Sequence, residues 1–382
     1  MEFRDLKTQY LNHKENIDKA IEKVLLSSQF IGGNPVKELE KNLADYVGRK
    51  YCITCANGTD ALELVLLAWG IKEGNAVFVP DFTFFSTAEV VSRVGATPVF
   101  VDVNTDTFNI DTSSLEQAIE KVIEDGKLSA KAIIPVDLFG LPADYPKILP
   151  IAKKYNLKVL EDGAQGFGGH IEIDGKINRA CSFGDASTTS FFPAKPLGCY
   201  GDGGAIFVDD EDLKNLLESL KVHGKGDHKY NNVRVGMNSR LDTIQAAILN
   251  EKFKFFVSDE LDLVNEVYDY YSKHLKEIIE ENNINIKLPK IPKNFYSSFA
   301  QYTVIAENEE QKDKLREDLS KKEIPTNIYY PRGLSQQKAF ENNKLTPVSL
   351  KNSENLCKSV FSLPMHPYLS KEDLDIIIKS FK

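Results

Sequence analysis

The chain has 382 residues, 42% hydrophobic and 27% charged, with 23 glycines, 16 prolines and a formal net charge of -9: a globular composition with room for one large and one smaller domain. The negative balance argues against a broad nucleic-acid footprint, which needs clustered Lys and Arg. No run approaches the roughly 18 apolar residues of a membrane span, the start Met1-Glu2-Phe3-Arg4-Asp5 lacks a signal-peptide core, and five cysteines without repeated spacing make no disulfide framework, so reduced thiols and the cytoplasm are expected.

From residue 14 to residue 220, helix-like stretches alternate with short β-rich runs, the pattern of βα units around a mainly parallel sheet. The expected strands are Tyr51-Thr54, Ala76-Val79, Pro98-Val101, Ala132-Val136, Lys158-Glu161, Ser187-Phe191 and Ala205-Val208. Amphipathic helices are expected at Asp60-Trp69, Thr83-Val94, Ser114-Glu124 and Pro146-Tyr155. A long helical stretch, Leu241 to Leu275, then leads to a strand at Gln301-Val304 and helices near Glu310-Ser320 and Lys371-Phe381. This order predicts a three-layer α/β/α large domain over residues 1–250 and a smaller α+β domain over 251–382.

Three segments carry chemistry. In Ala56-Asn57-Gly58-Thr59-Asp60, a strand meets a Gly turn and a helix, which aims backbone N–H groups and a helix dipole at one spot, as a phosphate cradle requires; a plain helix cap fits the same residues. In Val159-Leu160-Glu161-Asp162-Gly163-Ala164-Gln165, acidic residues end a buried strand, where open α/β sheets bind ligands. A carboxylate there can keep a ring nitrogen protonated or can simply cap the strand. In Phe192-Pro193-Ala194-Lys195-Pro196, two prolines hold a turn that presents one lysine, either as a reactive amine or as a solvated loop residue.

Cys52 and Cys55 form a C-x-x-C inside a strand-like run, where neither a redox pair nor a zinc site is expected. The six histidines show no metal spacing, and no metal is expected. Tyr270-Tyr271 and Phe255-Phe256 read as helix packing.

Taken in order, Asp5-Leu6, Phe30-Ile31-Gly32-Gly33, Asn57-Gly58-Thr59-Asp60-Ala61, Pro80-Asp81-Phe82-Thr83-Phe84, Gly95 to Asp102, Glu161-Asp162-Gly163-Ala164-Gln165, the Lys195 segment, Asn238-Ser239-Arg240-Leu241-Asp242 and Leu363-Pro364-Met365-His366-Pro367-Tyr368 resemble the DegT/StrS family of nucleotide-sugar aminotransferases nearly end to end. The resemblance implies a fold-type-I enzyme dependent on pyridoxal 5'-phosphate. Lys195 would bond the cofactor covalently and move protons, and Asp162 would pair with the pyridinium nitrogen. Gln165 would contact the ring hydroxyl, Phe84 would stack on the ring, and Gly58, Thr59 and Ser190 would hold the phosphate. Asn238 would reach the phosphate from the partner subunit of a homodimer with shared active sites, with Arg240 nearby for the sugar nucleotide and glutamate as amino donor.

The run Phe191 to Gly204 resembles most the members that aminate C3 of a UDP-linked 2-acetamido hexuluronate in surface-polysaccharide synthesis. C4 amination of a 4-keto-6-deoxy nucleotide sugar and a non-catalytic regulator are the alternatives, and a sugar dehydratase is disfavoured because such relatives replace the lysine by histidine. Where the C3 group carries His-Tyr-Pro near the sugar, this chain has Tyr329-Tyr330-Pro331 and then Arg332. Tyr329 and Tyr330 are therefore expected as substrate contacts, and Tyr329 cannot turn cationic at neutral pH as histidine can.

Overall fold

Short β-branched and aromatic runs build one seven-stranded sheet in the computed structural model, which describes residues 1–228 and 230–381. Its strands are β1 (Tyr51–Cys55), β2 (Asn75–Pro80), β3 (Thr97–Val101), β4 (Ser129–Ile133), β5 (Lys158–Asp162), β8 (Ala186–Ser190) and β9 (Gly204–Val208), with a hairpin of β6 (His170–Ile173) and β7 (Lys176–Arg179) set apart from it. The order across the sheet is β1-β9-β8-β5-β4-β2-β3; β9 runs antiparallel to both neighbours and all other pairs are parallel.

The expected three layers are present, and strand alternation explains them. One face, including Ile53, Val77, Val79, Phe100, Leu160 and Ile206, packs under α3 (Gly58–Ala68), α4 (Ser86–Arg93) and α7 (Glu211–Leu220). On the opposite face Phe78, Val99, Val101, Ile133 and Val159 pack against α5 (Thr112–Asp125) and α6 (Tyr145–Lys154). Cys52, Ala205 and Phe207 meet α2 (Asn34–Val47) and α8 (Thr243–Phe255), and the N-terminal helix α1 (Leu6–Ser27) lies against α8. Cys52 and Cys55 point into the two opposite cores, and all five cysteines are buried and unpaired.

A second apolar cluster gathers Val264, Tyr271, Leu275, Tyr302, Val304, Phe361 and Ile377. It joins α9 (Leu261–Glu281), a sheet of β10 (Ile286–Lys287), β12 (Tyr302–Ala306) and β13 (Val360–Leu363), and the helices α10 (Glu309–Lys321) and α12 (Lys371–Lys379), while β11 (Phe295–Tyr296) pairs with β6. The segment between β12 and β13 returns to the first core, where Leu334, Phe340 and Leu350 pack ahead of α11 (Lys351–Ser359).

Two expected elements end elsewhere. The fourth strand spans Ser129–Ile133 rather than Ala132-Val136, because Pro135 has no N–H to continue a central ladder. The helix expected at Thr83-Val94 starts only at Ser86, leaving Phe82 to Phe85 free to wrap the sheet end. The long helical stretch is α8 and α9 joined by a π turn at Phe256–Glu260. Among the described residues, no helix is long and apolar enough to cross a membrane.

Candidate active site

The register of β9 builds the site. Gly204 opposes both Cys55 at the end of β1 and Ser190 at the end of β8, while Asp162 ends β5 beside Thr188. Three strand ends therefore converge at one edge of the sheet. A Cβ on Gly204 would lie 2.5 Å from the backbone of Asn57, so only glycine lets β9 approach this turn.

Asn57 caps α3 by accepting from the Asp60 N–H at 2.8 Å. That is the cap reading, and it coexists with the cradle reading: the first-turn residues Gly58 and Thr59 line a cavity of about 460 Å³ at the positive end of the helix. A Cβ on Gly58 would come within 2.8 Å of the Ser190 Cβ, so the cradle closes only around glycine.

The same cavity is lined by Phe84, Asp162, Gln165, Ser190, Lys195, Tyr329 and Tyr330, together with Asn57, Ser86 and Asp202. Asp162 is 3% exposed; its Oδ2 accepts from Thr87 Oγ1 at 2.8 Å and its Oδ1 from the Ala164 N–H at 3.2 Å. Burial pushes its pKa up, opposed by these two hydrogen bonds and the nearby Lys195 charge. Its neighbour Glu161 points to the other face, where its oxygens accept from the N–H groups of Cys181 and Phe183 at 2.5 and 2.7 Å.

Lys195 sits on the Pro-flanked loop after β8, its N–H donating to the Phe192 carbonyl at 2.9 Å. It keeps partial exposure because it lines the cavity, yet enough protein surrounds the amine to push its pKa down to about 8. Burial is the main cause; the Asp162 charge opposes it and the Arg4 charge adds to it. Lys195 is the only Lys or Arg among the described lining residues.

Gln165 is buried and fully engaged: its Oε1 accepts from the Phe139 N–H at 2.8 Å and its Nε2 donates to Tyr330 Oη at 3.1 Å. Phe84 lines the cavity and is 54% exposed, its ring centroid 6.5 Å from that of Tyr330. Tyr329 packs its ring near Phe3, 6.3 Å between centroids.

Two expected residues are not brought into this cavity. Asn238 and Arg240 are exposed and line no part of it. Ser239 between them is buried and its Oγ accepts from the Ala56 N–H at 3.0 Å, which fixes the segment beside the turn before α3. Sequence reasoning missed Thr87 and Arg4. Thr87 follows the Phe82-Thr83-Phe84 signature by three residues, and that spacing from an aromatic at a helix start was its only signal. Arg4 carried no signal beyond preceding Asp5-Leu6.

The family model described as "DegT/DnrJ/EryC1/StrS aminotransferase family" matches residues 12–382. The chain is 44% identical to the UDP-2-acetamido-2-deoxy-3-oxo-D-glucuronate aminotransferase of Pseudomonas aeruginosa over 99% of this chain and 98% of that one. A crystal structure of a DegT DnrJ EryC1 StrS aminotransferase from Brucella abortus is 45% identical and superposes with a TM-score of 0.94, covering 100% of this chain and 98% of that one. The crystal structure of ntda from Bacillus subtilis with bound cofactor PMP is 30% identical with a TM-score of 0.85, covering 97% and 81%. With a family model matched over residues 12–382 and a relative 44% identical over nearly its whole length, the chain belongs to the DegT/DnrJ/EryC1/StrS aminotransferase family.

Proposed function

We propose that the protein is a pyridoxal-phosphate-dependent transaminase that moves the amino group of glutamate to the C3 keto group of a UDP-linked 2-acetamido sugar, the uronate form favoured. One observation carries the reaction class: a partly desolvated amine, Lys195, and a buried carboxylate, Asp162, face one cavity that also holds the start of α3. The similarity to the Pseudomonas enzyme supports the sugar.

The residues present fit the cofactor. The glycine-only cradle at Gly58 suits a phosphate, with the Thr59 and Ser190 hydroxyls as further donors. Asp162 suits a protonated ring nitrogen, and Phe84 offers an exposed aromatic face. Gln165 suits a ring hydroxyl by exchanging its bond to Tyr330. When bound, pyridoxal phosphate supplies an electron sink for the charge left when a proton leaves the carbon beside the amine.

The chain's own residues do the rest. Asp162, whose oxygens accept from Thr87 Oγ1 and the Ala164 N–H, would pair with the ring nitrogen and favour its protonated form. With its pKa at about 8, roughly one Lys195 amine in ten is neutral at pH 7 before any ligand binds, far more than for a solvated lysine. That amine would hold the cofactor covalently and, when free, would move a proton between the donor carbon and the adjacent cofactor carbon, the reverse transfer serving the acceptor. Tyr329 and Tyr330 form part of the cavity wall and would limit water around the amine.

A homodimer with shared sites is part of the proposal. It is supported by the exposed placement of Asn238 and Arg240 beside the α3 turn, outside their own cavity. Arg240 is then the cation for the sugar carboxylate, its planar fork suited to a bidentate contact. The division into 1–250 and 251–382 is likewise proposed, supported by the second core from Val264 to Phe381. The five buried, unpaired thiols support a cytoplasmic address.

The test is to supply glutamate, pyridoxal phosphate and matched 3-keto and 4-keto UDP-sugars and read the product by NMR. An amine at C3, faster with the uronate, is expected; amination at C4 alone overturns the sugar assignment.

A further inference from the structure

Against the backbone of the Lys195 loop, outside the lining of the cavity, lies a partly buried polar cluster that the reaction scheme does not use. Arg4 Nη2 donates to the Lys195 carbonyl at 3.1 Å, across 191 residues of chain. The irregular residues before α1 are held there from several sides: the Glu2 carbonyl meets His366 Nε2 at 3.2 Å, the Phe3 ring lies near Tyr329, and Asp5 caps α1 through the Thr8 N–H at 2.8 Å.

Glu260, at the end of the π turn, is the anion of this cluster. Gln9 Nε2 donates to both of its oxygens at 3.0 Å, and Tyr368 Oη donates to one of them. A π turn inserts an extra residue into a helix and re-aims the side chains around it; here it turns Glu260 inward, to 7% exposure. The charged and titratable groups around Arg4 are Glu260 from this turn, Lys252 from α8, and His366 and Tyr368 from the loop after β13. His13 lies 3.9 Å from Glu260. The Lys195 amine itself feels the charges of Asp162 and Arg4.

Resting on the reading of Lys195 as the reactive amine, we propose that Arg4 is a positioning residue for it: Arg4 fixes the lysine loop from behind through the Lys195 carbonyl, and its cation, balanced by Glu260, sets the electrostatics of the amine. Geometry gives the first part, since a bond to the carbonyl of the lysine itself constrains the direction in which the side chain leaves the backbone. The second follows from charge: a guanidinium stays cationic in proteins, so it acts as a fixed positive charge beside a group that must lose one. Among the described groups, the Arg4 charge lowers the pKa of Lys195, Lys252 and His366 alike, in each case after burial. Glu260 opposes that field at Lys252 and pairs electrostatically with Arg4 itself, so the carboxylate is placed to adjust how strongly Arg4 acts.

Competitive acetylation of Lys195 in cofactor-free protein, followed across pH by peptide mass spectrometry, reads this directly. Arg4→Gln should raise the labelling midpoint by about 0.5–1 unit, a roughly three- to tenfold loss of labelling at pH 7. Glu260→Gln should move the midpoint down, because the Arg4 charge is then unopposed, and Arg4→Lys should stay near wild type. Opposite shifts for the two charge removals are a signature that mere loosening of the loop cannot give. An unchanged midpoint in folded Arg4→Gln, or equal shifts for Arg4→Gln and Glu260→Gln, overturns the proposal; if Arg4→Gln does not fold, the direction seen in Glu260→Gln decides. The readout needs no turnover, so it fails independently of the transaminase reading, which the NMR assay tests.

Discussion

Thr87 Oγ1 donates a 2.8 Å hydrogen bond to Asp162 Oδ2, and both side chains are buried. This bond opposes the burial that raises the Asp162 pKa. Thr87→Val keeps the shape and removes the donor, so the ionised carboxylate loses about 1–3 kcal/mol. The sign follows from linkage: a carboxyl with a raised folded pKa is penalised when ionised, fully above that pKa, and the penalty fades as pH falls through it. The stability gap between wild type and variant should thus be widest near neutral pH and narrow under acid, as urea melts of the cofactor-free protein can show. A gap constant across pH would mean that Thr87 matters only for packing.

Lys195 makes the mirror-image case. Its folded pKa of about 8 lies below the ordinary 10.5, so the partly desolvated cation destabilises the fold fully below pH 8, and the penalty is relieved as pH rises from about 8 to about 10.5. Cofactor-free Lys195→Met should be more stable than wild type by roughly 1–3 kcal/mol at pH 7, a range reduced for the partial exposure of the side chain. The difference should vanish once pH exceeds about 10.5; thermal melts at both pH values check it.

Gly58→Ala pushes a methyl to within 2.8 Å of the Ser190 Cβ. Overpacking of this kind costs about 1–3 kcal/mol, and here it also shifts the turn that holds the phosphate. Cofactor affinity, read by fluorescence titration, should fall at least tenfold; unaltered affinity would place the phosphate elsewhere.

The exposed Asn238 predicts complementation. Lys195→Ala and Asn238→Ala homodimers should each be inactive, whereas a mixture that exchanges subunits should regain part of the activity, because one site of the heterodimer then carries both wild-type residues. Failure in demonstrated heterodimers would place both groups in one subunit's site.

Much of this site was legible in the sequence, and the reason is that it is made of strand ends. Gly58, Asp162 and Ser190 each lie at or just past the end of a β-rich run, and the parallel-sheet rule puts such ends at one edge. Pairing of Gly204 with both Cys55 and Ser190 brings them together, and no local pattern encodes that register. Thr87 was hidden because the helix pattern began too early, at Thr83, which made an inward hydroxyl look like one more amphipathic position. Arg4 was hidden because its partner lies 191 residues away and the contact is to a backbone carbonyl. Asn238 and Arg240 were named by resemblance alone, and their place outside the cavity of their own chain follows from the buried anchor Ser239, which composition did not mark.

The central claim is that Lys195 is the amine that carries the cofactor. Loading the protein with pyridoxal phosphate, reducing it with borohydride and mapping its peptides by mass spectrometry tests this most directly, with Lys195→Ala as the control. The account predicts one phosphopyridoxyl group, on Lys195, absent from the variant; a modification on any other lysine, or none on a protein that still transaminates, would contradict it.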